Sequence, residues 1–142
     1  MPLHPIPASV VASLLAVTAS AWSLPLTATE RGKTEYLHQC ASCHGAAATG
    51  EGPLRPFLVK PPSDLTTLAQ RHGGTFPQQQ VRETIDGRGL QAPGPHGTRE
   101  MPVWGQRFRQ EAQQTPAGRY QPERRARQRV DALVDYLRSV QE

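Results

Sequence analysis

The sequence predicts an all-α protein built from a few short helices. Apolar residues recur at helical spacing near both ends of the chain, and the segments between them are short and stop at glycines. No segment alternates apolar and polar residues as a half-buried strand would. A chain of 142 residues has the length of one domain. We therefore expect a single helical domain.

The first expected helix covers residues 30–40 and starts from a capping box. Thr27 and Glu30 have the spacing at which each side chain bonds the other residue's backbone N–H. Gly32 lies inside this helix, where glycine costs about 1 kcal/mol relative to alanine, so we expect another helix to cross closely there. The residues expected on the buried face are Tyr36, Leu37 and Cys40.

The last helix carries a continuous apolar stripe. It begins at Pro122, because proline suits the first turn of a helix. The stripe consists of Val130, Leu133, Val134 and Leu137, extended by Tyr136 and Val140. Shorter helices are expected over residues 63–73, 77–87 and 102–110, with a loop over 87–100 and a polar connection over 110–121.

The composition indicates a thin protein core. Apolar residues make up 37% of the chain and aromatic residues 6%, while 12 Gly and 14 Pro indicate many loops. A core of this kind usually needs an additional stabilising element, and two cysteines exclude a framework of several disulfides. We therefore expect a bound group to fill part of the interior.

Residues 1–23 have the features of an export signal. They contain no Lys, Arg, Asp or Glu, and their apolar stretch ends in the small-x-small pattern of Ala19 and Ala21. We expect cleavage near residues 21–23, which leaves a mature domain of residues 24–142 with its core over about 30–140; an uncleaved anchor is the alternative. No later stretch is apolar enough to span a bilayer. The sequence thus predicts a periplasmic bacterial protein whose mature chain has no integral membrane span.

The formal net charge is +4, and much of the basic excess lies in one late stretch. Its arginines are Arg124, Arg125, Arg127 and Arg129. We interpret them as the solvated face of a helix, with attraction of an acidic protein partner as the alternative. No aromatic residues are interleaved with them and no nucleic-acid-binding motif is present, so we expect no nucleic-acid partner.

Residues 40–44 form a motif with a specific chemistry. Cys40, Cys43 and His44 make up C-x-x-C-H, the attachment signature of a c-type haem. The spacing lets each thiol add to one porphyrin vinyl group and directs the imidazole at the iron. A second axial ligand is needed, and Met101 has the only thioether outside the expected signal. The candidate site residues are therefore Cys40, Cys43, His44 and Met101, around one covalently attached haem c.

Three other uses of C-x-x-C fit the surrounding sequence less well. A thioredoxin-like dithiol needs a strand before the motif and a βαβ context. A zinc site needs four ligands, whereas the histidines of this chain are scattered. A structural disulfide is the remaining alternative for an exported protein.

The sequence resembles the class I monohaem c-type cytochromes over most of the mature chain. Gly32, Tyr36 and residues 40–44 resemble the first helix of that family, which packs against an aromatic residue of the final helix. Tyr136 is similar to that aromatic residue, and residues 101–105 resemble the segment in which a methionine sulfur ligates iron. The resemblance implies a cytochrome c-like fold, with small helices wrapped around a covalently attached haem and with the N- and C-terminal helices crossing.

The orientation of His44 is also expected from the sequence. The stretch between His44 and Pro62 contains several prolines where the family usually shows one clear one. We expect a proline carbonyl to accept a hydrogen bond from Nδ1 of His44, with Pro53 as the preferred acceptor and Pro61 and Pro62 as alternatives.

The ligand set predicts one-electron transfer and no enzymatic activity, because iron with protein ligands on both faces has no open position for a substrate. We expect a periplasmic electron carrier or an electron-transfer subunit of a larger redox complex. Its expected partners are redox proteins, either acidic proteins or membrane-bound respiratory complexes. One alternative is a haem-based sensor or peroxidase-like enzyme in which Met101 is labile. Another is an exported binding or redox module without haem, which would be colourless.

Several further residues are assigned roles around the haem or at the surface. Trp104 either packs beside the ligand segment or donates its indole N–H to a haem propionate, and Arg88 and Arg99 are either solvated loop charges or propionate partners. His96 is an alternative distal ligand.

The residues expected at the surface are His38 and His72. The residues expected to pack on the haem are Leu54, Phe57, Leu65, Val81, Ile85, Val103 and Phe108, and a basic docking face is expected from Lys33, Arg55, Lys60, Arg88 and Arg99.

Overall fold

The computed structural model describes residues 25–88 and 101–142. The expected export signal and most of the expected loop at 87–100 lie outside these ranges. The described residues form six α-helices and one 3₁₀ turn, and they contain no strand. In chain order these are α1 (Ala28–Gln39), α2 (Ala41–His44), the 3₁₀ turn (Arg55–Phe57), α3 (Leu68–Arg71), α4 (Gln78–Asp86), α5 (Trp104–Gln113) and α6 (Pro122–Ser139). The prediction of an all-α fold is confirmed.

Helices α1 and α6 cross where Gly32 meets Ala132. A Cβ atom on Gly32 would lie 1.9 Å from the carbonyl oxygen of Ala132 and 2.9 Å from the Cβ of Tyr136. One turn further along α1, the ring of Tyr36 lies against the ring of Tyr136, with 5.1 Å between the centroids. The predicted close crossing at Gly32, and its aromatic contact with the final helix, are confirmed.

Helix α1 begins as the sequence predicts and differs on its buried face. Thr27 and Glu30 form the capping box, with each side chain accepting a hydrogen bond from the other residue's N–H. Tyr36 is fully buried, but Leu37 is 46% exposed. The assignment of Leu37 to the buried face is wrong, because consecutive helical residues point about 100° apart around the axis.

Helix α6 supplies one wall of the protein core. Its buried residues are Ala126, Val130, Ala132, Leu133, Val134, Tyr136 and Leu137. Helix α5 packs against it through Phe108, which is fully buried. Burial of a side chain of this size stabilises a fold by about 1.5–3 kcal/mol, so the contact between α5 and α6 fixes α5 firmly.

Arg129 joins three helices and does not simply face solvent. Its guanidinium lies 2.6 Å from Oε1 of Glu35 on α1 and 2.7 Å from Oε2 of Glu111 on α5. The same group lies 3.8 Å from the centroid of the Phe108 ring. The interpretation of the late arginines as a solvated face is therefore wrong for Arg129, while the other three are exposed.

Helices α3 and α4 enclose the remaining side of the interior. Helix α4 buries Val81 and Ile85 and ends at Gly87, whose φ of 79° is the left-handed conformation that glycine favours. At the end of the chain, the side chain of Gln141 donates to the carbonyl of Leu65 at 2.8 Å and accepts from the N–H of Ala69 at 2.9 Å. These bonds tie the segment around α3 to the end of α6.

The connection between α5 and α6 is shorter than the sequence predicts. Helix α5 continues to Gln113, and Ala112 and Gly118 are both buried. Thr115 closes the turn that follows, since its Oγ1 accepts a hydrogen bond from the N–H of Gly118 at 3.1 Å.

Among the helices of the described residues, none is long and apolar enough to cross a membrane.

Candidate functional site

Cys40, Cys43 and His44 lie on a single helical turn directly after α1. The carbonyl of Cys40 accepts hydrogen bonds from the N–H of Cys43 at 3.1 Å and from the N–H of His44 at 2.9 Å. No disulfide joins the two cysteines. Local hydrogen bonding alone therefore brings these three predicted site residues together.

The imidazole of His44 is oriented by the carbonyl of Ser63, which lies 3.1 Å from Nδ1. Because a carbonyl only accepts, Nδ1 carries the hydrogen and Nε2 keeps its lone pair. This finding corrects the expectation of a proline carbonyl at Pro53, Pro61 or Pro62. The carbonyl of Pro62 faces Gly50, where a Cβ would lie 2.5 Å from that oxygen. The next carbonyl along the chain, that of Ser63, consequently faces the imidazole.

The loop that carries Ser63 wraps back over the turn that carries His44. The N–H of Gly50 donates to the carbonyl of His44 at 2.8 Å, and the N–H of Gly52 donates to the carbonyl of Cys43 at 3.1 Å. A Cβ on Gly52 would lie 2.4 Å from the carbonyl oxygen of Cys43, so only glycine permits this approach. The loop thereby delivers the acceptor for the imidazole.

An apolar cavity lies beside His44, bounded by α1, α4, α6 and the segment around α3. Its apolar walls include Leu65, Leu68, Val81, Ile85, Leu133 and Leu137. Cys40, His44 and Met101 all line this cavity. Two segments that are far apart in the sequence thus meet at one apolar space, and they carry an imidazole, a thiol and a thioether.

Burial changes the acid–base properties of the groups in this cavity. It lowers the pKa of His44 against the opposing hydrogen bond to Ser63, so the neutral imidazole, which binds metals, is favoured. Burial, reinforced by Glu35 and Cys43, raises the pKa of Cys40 to about 12. A thiol with so high a pKa is seldom ionised, which argues against the interpretation as a reactive dithiol.

Two basic side chains line the cavity although the sequence did not assign them to the site. Arg71, at the end of α3, donates to the carbonyl of Asp64 at 2.6 Å, and His72 donates from Nδ1 to the carbonyl of Leu68 at 2.8 Å. Nε2 of His72 lies 3.2 Å from Oε1 of Gln80. His72 is exposed, as expected, yet both side chains line the cavity. No motif marks them, since their place depends on how the chain folds back.

Among the apolar residues assigned to the site, only some line the cavity. Leu65, Val81 and Ile85 do. Phe108 is fully buried against α6, while Phe57 is 81% exposed and Leu54 is 44% exposed. Trp104 packs against Phe108 with 5.8 Å between ring centroids. Packing of Trp104 is thus observed, and its donation to a propionate stays a prediction.

The charged residues assigned to the site are partly engaged elsewhere. Arg88 pairs with Asp86, and Arg55 pairs with Glu51 at 3.3 Å. Each of these pairs cancels a positive charge of the expected docking face. Lys33 is exposed. Arg99 and His96 lie outside the described residues.

A wider groove follows the crossing of α1 and α6. Its lining includes the charged side chains of Arg31, Glu35, Arg125, Arg129, Asp131 and Asp135. None of the four candidate site residues lines it. Charged walls of this kind do not suit an apolar ligand, so the cavity beside His44 is the better site for one.

Comparison with known protein families identifies the class of this protein. A family model for cytochrome c matches residues 29–141, and the chain therefore belongs to the cytochrome c family. Members carry covalently attached haem c and transfer electrons through it, so this protein binds haem c and has redox proteins as partners. Searches among curated proteins and among solved structures found no significant match.

The residues around the cavity fit this cofactor. Its walls are aliphatic, as the porphyrin ring requires, and burial of that ring against them is favourable. Imidazole nitrogen and thioether sulfur are common axial ligands of haem iron. The basic side chains of Arg71 and His72 suit the two propionates, which are anionic.

Proposed function

We propose that Cys40 and Cys43 hold the haem through two thioether bonds, and that His44 and Met101 are the axial ligands of its iron. The observation that carries this proposal is the convergence of Cys40, His44 and Met101 on one apolar cavity. When bound, the haem supplies an iron centre that gains and loses one electron. A thioether ligand favours the ferrous state relative to two imidazoles.

The surrounding residues each have a part in this proposal. The hydrogen bond to Ser63 fixes the ring of His44 so that Nε2 is available to the metal. The aliphatic walls exclude water, which strengthens the influence of nearby charges on the potential. Arg71 and His72 line the cavity and are better placed to bind the propionates than Arg88, which pairs with Asp86.

The protein acts, in this proposal, outside the cytoplasm as an electron carrier or as an electron-transfer subunit of a redox complex, and not as an enzyme. The pattern of residues 1–23 supports export. Covalent haem attachment in bacteria takes place on the outer side of the inner membrane, which agrees with export. A redox partner is expected to dock on the surface nearest the haem edge.

The test is an optical spectrum of the protein matured in a bacterial periplasm, recorded in the oxidised and reduced states, with and without carbon monoxide. We expect haem that stays with the polypeptide in acidic solvent, a weak sulfur-to-iron band in the ferric form, and a reduced spectrum that carbon monoxide does not change. The Met101→Leu variant should lose the band and bind carbon monoxide. Val103→Leu, which keeps the thioether, is the matched control.

Two outcomes would contradict the proposal. Rapid binding of carbon monoxide by the wild-type protein would mean that Met101 is not a stable ligand, which would favour a sensor or a peroxidase-like enzyme. A colourless protein would show that Cys40 and Cys43 do not carry haem.

A further inference from the structure

Asp86, the last residue of α4, is the most deeply buried acidic residue among those the structure describes. Its relative exposure is 7%. Burying a carboxylate is unfavourable unless it is paired and hydrogen-bonded. A buried carboxylate at a helix end therefore needs a structural or functional reason, and its contacts supply one.

The contacts of Asp86 join the end of α4 to the beginning of α5. Its Oδ1 lies against the backbone of Gly105, where a Cβ atom would come within 1.8 Å of that oxygen. Oδ1 also lies 3.5 Å from the guanidinium of Arg109, one turn further along α5. Oδ2 pairs with Arg88, two residues after Asp86 itself. One side chain thus contacts both helices at their junction.

This junction lies next to the proposed distal ligand. Met101 is four residues before Gly105, and its side chain lines the cavity. Helix α4 forms the facing wall through Val81 and Ile85. The position of the Met101 sulfur in the cavity therefore depends on how the start of α5 is placed relative to α4.

We propose that Asp86 is a positioning residue for the distal ligand. By holding the first turn of α5 against the end of α4, its carboxylate keeps Met101 at the cavity. This inference rests on the proposed ligation by Met101. Asp86 affects the haem site only by positioning Met101, and its carboxylate does not contact the haem.

A second ion pair of α4 provides a matched control. Nε of Arg82 lies 2.8 Å from Oδ1 of Asp131 on α6, so this pair also ties α4 to a neighbouring helix. This pair joins α4 to α6, whereas the contacts of Asp86 with Gly105 and Arg109 join α4 to α5. Loss of the Asp131 charge should weaken helix packing without loosening Met101.

The experiment measures how readily imidazole displaces Met101 from the ferric holoprotein, followed by loss of the sulfur-to-iron band. We expect Asp86→Asn to bind imidazole about tenfold more tightly than wild type, because a larger fraction of the protein has Met101 detached. Asp131→Asn should differ from wild type by less than about twofold. Denaturant unfolding of both variants shows whether their losses of stability are comparable.

The outcomes separate this inference from the proposed function. If the wild-type ferric protein lacks the sulfur-to-iron band, Met101 is not the ligand and both fail. If wild type shows the band and Asp86→Asn binds imidazole with the same affinity as Asp131→Asn, only the role of Asp86 is overturned. Arg109→Gln, which removes a partner and leaves the carboxylate, is the second variant should Asp86→Asn not fold. It should also bind imidazole more tightly than wild type, and unchanged binding would overturn the inference.

Discussion

The hydroxyl of Tyr36 donates a 2.7 Å hydrogen bond to the carbonyl of Gly45, the residue directly after His44. The ring of Tyr36 is fully buried against Tyr136 of α6. One side chain thus links the crossing of α1 and α6 to the turn that carries the proposed haem ligand. The geometry of that crossing, which Gly32 permits, consequently affects both stability and the site.

Replacing Gly32 with alanine should destabilise the protein by about 1–3 kcal/mol, because a Cβ would overlap the carbonyl of Ala132 and force α1 and α6 apart. Helix propensity alone would make the Gly32→Ala variant more stable, since alanine stabilises a helix by about 1 kcal/mol relative to glycine. Denaturant unfolding of the holoprotein checks this prediction. Lys33→Ala, on the exposed side of the same helix, is the control, and a stabilised Gly32→Ala variant would contradict the close crossing.

Replacing Arg129 with glutamine should lower the free energy of unfolding by about 2 kcal/mol, because it removes a cation that pairs with two partly buried carboxylates. These are Glu35 and Glu111, whose side chains are 17% and 36% exposed. The contact with Phe108 is weakened as well. Arg127→Gln, at an exposed position nearby, should change stability by less than about 0.5 kcal/mol. Equal effects at the two positions would show that Arg129 is an ordinary surface charge.

Arg129, Glu35 and Glu111 form a charged cluster, and this cluster should make the stability of the fold decrease in acid. Burial raises the pKa of Glu111, but hydrogen bonds and charges from Arg129 and Arg107 outweigh burial and lower the pKa below its ordinary value. A lowered pKa in the folded state means that the ionised form stabilises the fold. That stabilisation is present above the ordinary pKa and is lost as the pH falls through the folded-state pKa.

Glu111→Gln tests this pH dependence. We expect the wild-type protein to lose more stability than the variant between neutral pH and pH values below the ordinary pKa of glutamate, near 4.3. Unfolding curves across that range measure the difference. Glu51→Gln removes an exposed carboxylate and serves as the control. If Glu51→Gln reduces the loss of stability at low pH as much as Glu111→Gln does, the cluster is not responsible for that loss.

Removal of the two proposed attachment cysteines should leave the chain largely unfolded. Without haem, the aliphatic walls of the cavity lose their main packing partner, and the thin core cannot compensate. Circular dichroism of Cys40→Ser/Cys43→Ser would show little helix and no cooperative melting. Ser42→Ala, on the same turn with both thiols intact, should stay folded. A well-folded double variant would overturn the prediction.

The sequence predicted the elements whose signals are local. The capping box at Thr27, the glycine stop of α4 and the stripe of α6 each depend on residues within a few positions of one another. Gly32 also predicted a close crossing, because glycine is unfavourable inside a helix and is expected there when another helix approaches closely. The placement of Leu37 was wrong because three positions of apolar character do not define the angle of a helix face closely enough.

The acceptor for His44 shows why the remaining features could not be predicted. Counting prolines identified the loop, and it could not identify which carbonyl turns towards the imidazole. That choice depends on the close approach of Pro62 to Gly50, a contact between distant parts of the loop. Arg129 was assigned to a solvated face for the same reason, since its partners lie on α1 and α5. Arg71 and Asp86 were not assigned to any site, because their places depend on how the chain folds back.

Spacing along the chain is enough to predict the C-x-x-C-H motif, the all-α class and the helices at both ends, because each of these depends on residues a few positions apart. Three further contacts could be seen only in the folded chain: Met101 faces the same cavity as His44, Ser63 orients the imidazole, and Asp86 joins α4 to α5. Each of these contacts connects residues separated by many positions. Their geometry is set by how the helices pack, which local spacing does not encode.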